Sequence, residues 1–331
     1  MARYLITGIA GFIGSALATA LVGRGEQVRG VDNFATGRLA NLDHVRGQID
    51  LLEADLRDRM AIRQACDGID YVLHHGALAS VPLSVEAPEP SHRCNMDGTF
   101  NILEAARAAR VRRVIYAASS SAYGAQQVPS RESMPPMPIS PYAVQKLAGE
   151  YYATSYWQVY GLETVSLRYF NIFGPRQSAD SSYSGVMARF IQQMLSGVRP
   201  TIFGTGKQTR DFTHVDNVVL ANLLACEAPA EKIAGKVFNI ACGGQHTLND
   251  LYDVLAELIG FEEPPLYGPP RKGDILNSHA DISAAVEALG YWPKVQFEEG
   301  LKRTVTWYRE VGTGDESKER MRVNARVPIG S

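Results

Sequence analysis

Five short apolar runs, Tyr4–Thr7, Gln27–Asp32, Ile49–Ala54, Tyr71–His74 and Arg113–Ala118, each end in polar or small residues and are separated by segments long enough for a helix. That rhythm constrains the fold more than any other feature. Neighbouring parallel strands need a crossover of about a dozen residues or more, whereas antiparallel ones can join by a tight turn. The intervening segments carry the helical period: after "NMDGT", Phe100, Leu103 and Ala106 fall on one side and Glu104 and Arg107 on another. Pro141 suits a first helical turn and opens a helix that runs through Tyr160 to Gly161. The pattern predicts an α/β fold on a doubly wound parallel sheet.

"LETVSLRYFNIFGP" reads as a sixth strand, after which loops lengthen and prolines and glycines cluster. We divide the chain into a sheet domain at 1–177, with later segments returning near 207–242, a smaller C-terminal α/β lobe at 178–310 for substrate, and a polar tail at 311–331. The 331 residues suit about two domains. With 33 basic and 35 acidic residues well mixed, there is no broad field to attract nucleic acid or an anionic membrane, so a small molecule is the expected partner. No apolar stretch reaches the roughly 18 residues of a membrane span. The N-terminus reads as strand, turn and helix, not as a signal peptide. Cys66, Cys94, Cys226 and Cys242 lie far apart, which argues against a metal site or a disulfide framework and fits a reducing cytoplasm.

The first strand is followed by "TGIAGFIG", a glycine turn that opens the first helix. Glycines there let backbone amides and a helix N-terminus approach a pyrophosphate, the Rossmann-type arrangement. Asp32 ends the second strand eighteen residues after Gly14. A carboxylate at that point accepts from an adenosine ribose and repels a 2′-phosphate, which favours NAD over NADP, although Arg38 lies nearby. The expected cofactor set begins with Gly8, Gly11, Phe12, Ile13 and Gly14, then Asp32, Asn33 and Gly37, then Asp55 and Leu56 after the third strand. Asp55 is placed to hold the adenine amino group; a plain strand-end cap is its alternative.

Tyr142 and Lys146 stand four apart on one predicted helix, which puts the ammonium one turn below the phenol. A positive charge there, like an oxidised nicotinamide, favours phenolate and makes tyrosine a general base. A surface pair is the plainer reading. "SSSAYG", from Ser119 to Gly124, ends the fifth apolar run with three hydroxyls, which either cap a strand or meet something polar.

"TGIAGFIG", "SSSAYG", "YAVQK" and "LRYFNIFGPRQ", in that order and spacing, resemble the extended short-chain dehydrogenase/reductase family, and within it the nucleotide-sugar 4-epimerases. The resemblance covers roughly residues 2 to 310. It implies that Ser119, four residues before Tyr123, bonds the reacting sugar hydroxyl beside catalytic Tyr142, with Lys146 as the third catalytic residue and Ser121 as a second substrate contact. It also implies that Ala77, Ala79, Asn95 and Phe170 lie along the cofactor. Ser80, Asn171, Val186, Thr201, Phe203, Arg210 and Arg271 would then line the UDP-sugar, with Asn171 and the two arginines on the diphosphate. Relatives that drive dehydration or decarboxylation need an acid just after Ser119; this chain has Ser120 and Ser121. The residue seven after Arg271 is Ser278, a position filled by tyrosine in epimerases restricted to glucose and galactose and by a small residue in those that accept N-acetylated sugars. "SVPLS", Ser80 to Ser84, resembles the N-acetylhexosamine branch, whereas Leu83 stands where some relatives carry arginine.

The expectation is therefore NAD-dependent 4-epimerisation of UDP-GlcNAc and UDP-GalNAc, with UDP-glucose and UDP-galactose as further substrates. An epimerase of plain hexoses only, one of UDP-glucuronic acid, and a module that binds NAD or nucleotide sugar without catalysis stay open. Family resemblance further implies a homodimer through helices at Asp97–Arg110 and Pro141–Tyr160.

Overall fold

The computed structural model describes residues 1–179, 185–270 and 275–312. The long strands are β1 (Arg3–Thr7), β2 (Gln27–Asp32), β3 (Ile49–Glu53), β4 (Tyr71–His74), β5 (Arg113–Ser119) and β6 (Glu163–Tyr169). Four short ones follow, β7 (Ile172–Phe173), β8 (Thr201–Phe203), β9 (Thr209–Arg210) and β10 (Thr213–His214), then β11 (Lys236–Ile240). Three more short strands complete the series: β12 (His246–Thr247), β13 (Leu266–Gly268) and β14 (Asn277–Ser278). The first eight α-helices are α1 (Phe12–Gly23), α2 (Arg59–Cys66), α3 (Val81–Glu86), α4 (Pro88–His92), α5 (Gly98–Ala108), α6 (Pro141–Tyr160), α7 (Val186–Leu195) and α8 (Val215–Glu227).

Seven strands form one parallel sheet in the order β11-β6-β5-β4-β1-β2-β3. This is the doubly wound Rossmann-type sheet that the sequence predicts. Alternate residues of each strand enter different cores. Tyr4 and Ile6 pack with Leu17 and Leu21 of α1 and Val218 and Ala225 of α8, while Leu5 joins Ile62 of α2 and Ile102 and Ala106 of α5. Because helices cover both faces, the strands are near-continuous apolar runs. Strand order reverses between β1 and β4, and the register brings the ends of β1, β2 and β4 level: Thr7 lies opposite both Val31 and His74. Ligands of open parallel sheets bind at such a reversal.

A third core joins Phe173, Met187, Phe190, Ile202, Phe212, Leu251 and Leu301. Its strands are two or three residues long: β8 pairs with β13, and β9 lies between β12 and β14. No helix among the described residues is long and apolar enough to cross a membrane.

Candidate active site

The glycine turn is tight enough that side chains are sterically excluded. A Cβ on Gly14 would lie 2.1 Å from the Gly8 carbonyl oxygen, and one on Gly8, at φ +66°, would lie 2.8 Å from the Gly76 Cα. The Thr7 hydroxyl pulls that second loop in, accepting from the amides of His75 (3.1 Å) and Gly76 (3.0 Å). Helix α1 then begins at Phe12 and Ile13 with Gly11 as N-cap, no side chain on its first amides and no acid in its first turn. By contrast, Asp58 caps α2 and Ser140 caps α6. An uncapped N-terminus above a glycine cradle fits the pyrophosphate of NAD.

Asp32 closes β2 and is almost buried, its carboxylate taking the amides of Ala10 (2.9 Å) and Phe34 (2.8 Å). Burial raises its pKa despite these bonds. Gly37 lies against it, where a Cβ would come 2.8 Å from Asp32 Oδ2. Asp55, expected at the adenine, is paired with its neighbours. Arg57 clamps its carboxylate through Nε (2.8 Å) and Nη2 (2.7 Å), Asn33 adds a bond of 2.9 Å, and the Arg57 bonds hold the carboxyl well below its usual range. That occupancy favours the strand-end reading. Leu56 packs in the core between Gly76 and Gly98.

Ala77 and Ala79 follow β4, half-buried and exposed respectively, in the loop beside Gly8. Asn95 is buried in a helical turn, and its amide holds this loop: Oδ1 accepts from the Leu78 amide (2.8 Å), while Nδ2 donates to Leu78 O (3.2 Å) and Gln145 Oε1 (2.8 Å). It braces the loop that was expected to run beside the cofactor. The Phe170 ring is fully buried against Tyr123, Ala241 and Ala280, so its side chain belongs to a core and not to an open cofactor surface.

Two of the three serines bond each other. Ser119, the last residue of β5, accepts from the Ser121 amide (3.2 Å) and bonds the Ser121 hydroxyl (2.9 Å), and its hydroxyl lies close enough to the Tyr142 phenol to favour that group's ionised form. A Ser119 hydroxyl that donates toward this corner favours phenolate. Burial works the other way and raises the Tyr142 pKa overall. Lys146, only 5% exposed, donates to Ala117 O at 2.8 Å and lies 5.1 Å from the Tyr116 ring centre, because a buried ammonium seeks an acceptor. Burial brings its pKa down to about 8. An ammonium with three donors keeps hydrogens for a cofactor ribose.

Sequence reasoning missed the ionic layer beneath this corner. Glu150, one turn after Lys146, takes a forked bond from Arg168 on β6 (2.9 and 2.7 Å), both side chains being buried. The Arg168 guanidinium lies 4.6 Å from the Tyr123 ring centre. A motif "YxxxKxxxE" on one helix face was the available signal.

Arg210 on β9 lies opposite Ser278 on β14, and Asn171, at φ +40°, donates to Ser278 Oγ (3.3 Å) and Asp211 O (3.2 Å). The structure thus brings Asn171, Arg210 and Ser278 together, and Ser278 is half-buried instead of facing open solvent. Asp211, also missed, is fully buried and ties three amides, Cys242 (3.0 Å), Gly243 (3.1 Å) and Ala280 (3.3 Å). Burial raises its pKa to about 6. Ser80 caps α3, and Val186 opens α7. Thr201 and Phe203 flank β8, both half-buried. Arg271 lies outside the described residues.

A family model, the NAD dependent epimerase/dehydratase family, matches residues 4–241. The solved UDP-glucose 4-epimerase of Thermotoga maritima with UDP-glucose is 38% identical, covers 93% of this chain and 99% of its own, and superposes with a TM-score of 0.88. The UDP-N-acetylglucosamine 4-epimerase of Methanobrevibacter ruminantium M1, in complex with UDP-N-acetylmuramic acid, is 36% identical, with coverage of 94% and 99% and a TM-score of 0.89. The UDP-glucuronic acid 4-epimerase of Bacillus cereus with UDP-glucuronic acid and NAD is 31% identical, with coverage of 93% and 99% and a TM-score of 0.86. With its sheet, glycine cradle and Ser119–Tyr142–Lys146 corner, this chain belongs to the NAD dependent epimerase/dehydratase family as an NAD-dependent UDP-sugar 4-epimerase of the extended short-chain dehydrogenase/reductase type.

Proposed function

We propose that the protein interconverts UDP-GlcNAc and UDP-GalNAc, with UDP-glucose and UDP-galactose as further substrates. The observation that carries the N-acetylated reading is Ser278, a small half-buried residue beside Asn171 and opposite Arg210. A serine there lacks a phenyl ring of bulk and leaves room for an acetamido group. Leu83, an uncharged side chain in "SVPLS", gives no partner to a sugar carboxylate.

Tyr142 takes the proton of the 4-hydroxyl, and Ser119 holds the same oxygen. Bound NAD supplies the hydride acceptor and donor at carbon 4. Lys146 orients the cofactor ribose, and Gly8, Gly11, Gly14 and Asp32 hold its adenosine diphosphate half. Asn171 and Arg210 anchor the substrate diphosphate, so the 4-keto sugar can turn over and present its opposite face to the returning hydride, while Tyr142 gives the proton back to the 4-oxygen. With Ser120 and Ser121 after Ser119, no acid stands in place to remove water or carbon dioxide. The test is a chromatographic assay of both sugar pairs and UDP-glucuronic acid with purified enzyme. We expect interconversion of the N-acetylated pair without added reductant; activity confined to UDP-glucose and UDP-galactose, or to UDP-glucuronic acid, would overturn it.

The exposed apolar face of α6, with Val144 and Tyr151 more than half exposed and Tyr152 beside Phe100 of α5 (6.0 Å between ring centres), supports a homodimer through α5 and α6. Light scattering at micromolar concentration should give twice the chain mass, and monomer alone would refute it.

A further inference from the structure

Ser84, the last residue of "SVPLS", is fully buried in α3 and has been given no role so far. Its hydroxyl donates to Val81 O at 2.7 Å and accepts from the backbone amide of Tyr142 at 3.1 Å. The first turn of α6 explains why that bond matters. Pro141 has no N–H, and the Ala143 amide is taken by N-cap Ser140 at 3.2 Å. The amide of the tyrosine itself is therefore held by a hydroxyl from another helix. The same segment is fastened to α6 at its other end, where Asn95 grips both polar groups of Leu78 and donates to Gln145, the neighbour of Lys146. Residues 78–84, which carry Ser80, thus move with α6 as one frame.

We propose that Ser84 is a positioning residue for Tyr142, fixing its backbone so that the phenol meets Ser119. This rests on the reading of Tyr142 as the base. Without the hydroxyl, a first-turn amide faces a methyl group and must find another acceptor, which shifts the start of a stiff helix. Support of the phenolate by the nearby Ser119 hydroxyl depends on close, directed approach, so a small shift of the helix start weakens it.

The experiment is a phenolate absorbance titration of Tyr142 in NAD-bound enzyme, read as the difference from the matching Tyr142→Phe background, for parent and Ser84→Ala. We expect Tyr142 in Ser84→Ala to ionise about 0.5–1 pH unit higher, a roughly three- to ten-fold weaker acid. The acidic limb of kcat moves up with it, since the base must be ionised, and KM for the UDP-sugar changes less than kcat. Coincident titrations, or a fall in kcat with its acidic limb unmoved, would overturn the proposal and leave Ser84 a packing residue. Should Ser84→Ala fail to fold, Ser84→Cys keeps the volume with a poorer acceptor: an intermediate displacement supports the proposal, and the parent's titration overturns it. A parent that turns over no UDP-sugar would sink the functional reading alone, because the titration needs no sugar.

Discussion

The proposed catalytic corner and the proposed sugar pocket are built from different material. Ser119 ends a seven-residue strand inside a seven-stranded sheet, and Tyr142 and Lys146 share a helix of twenty residues. Arg210 and Ser278 sit on strands of two residues each, held in place by one buried carboxylate, Asp211. Reacting groups need their geometry held to a fraction of an ångström, which long elements supply, whereas selectivity can be altered on short pieces without disturbing the sheet. The comparison implies that chemistry and specificity can be damaged separately.

The largest effect expected is from Tyr142→Phe, a loss of about 100- to 10,000-fold in turnover of every UDP-sugar, with NAD retention and melting temperature unchanged. Activity within tenfold of the parent would remove Tyr142 from the corner. Ser119→Ala should lower kcat by roughly 30- to 1,000-fold, the scale of deleting a positioned active-site donor. Both losses should be equal across sugars. Ser278→Tyr should do the reverse, lowering turnover of the N-acetylated pair by about 10- to 100-fold, the scale of inserting bulk into a filled space, while sparing UDP-glucose and UDP-galactose. An equal loss on both pairs would dissolve the distinction between the two regions.

The smallest effect concerns stability. Folding lowers the Lys146 pKa from 10.5 to about 8, so the folded state binds this proton more weakly than the unfolded chain does. Its contribution is fully present above the unfolded value and is lost as pH falls through about 8. In thermal unfolding without NAD, the parent should therefore gain on Lys146→Met as pH rises from about 7 to 10. A difference that stays flat with pH would mean that the ammonium is better solvated than its burial indicates.

The sheet was legible because its signal is local: apolar runs of strand length with helical spacers, from Tyr4 to Ala118, needed no knowledge of partners. The glycine turn was legible for the same reason. What the sequence could not reveal depends on pairing across distance. Asp55 and Arg57 are near neighbours, but only the structure shows that their mutual clamp occupies the carboxylate. Lys146 shares a helix face with Tyr142, yet its reach to Ala117 depends on how α6 packs against β5. Ser84, Gln145 and Asp211 have ordinary side chains in ordinary contexts, and each acquires its role from residues 30 to 70 positions away. Phe170 is another case: it lies inside a motif, and its ring packs into a core that only the structure shows.

The placement of β11 and α8 has a consequence for how the molecule is made. All three side chains proposed for catalysis have been synthesised by residue 146, but the strand that pairs with β6 spans Lys236–Ile240, and the helix that covers α1 spans Val215–Glu227. A nascent chain, or a fragment ending before residue 215, would hold every reacting group while leaving β6 as an open edge and the apolar side of α1 bare. Unpaired edges and uncovered apolar faces are what drive association of incomplete chains. Translation must therefore proceed about ninety residues past the last catalytic group before the sheet can close, and over that interval the growing chain depends on dilution or chaperones to stay apart from its copies.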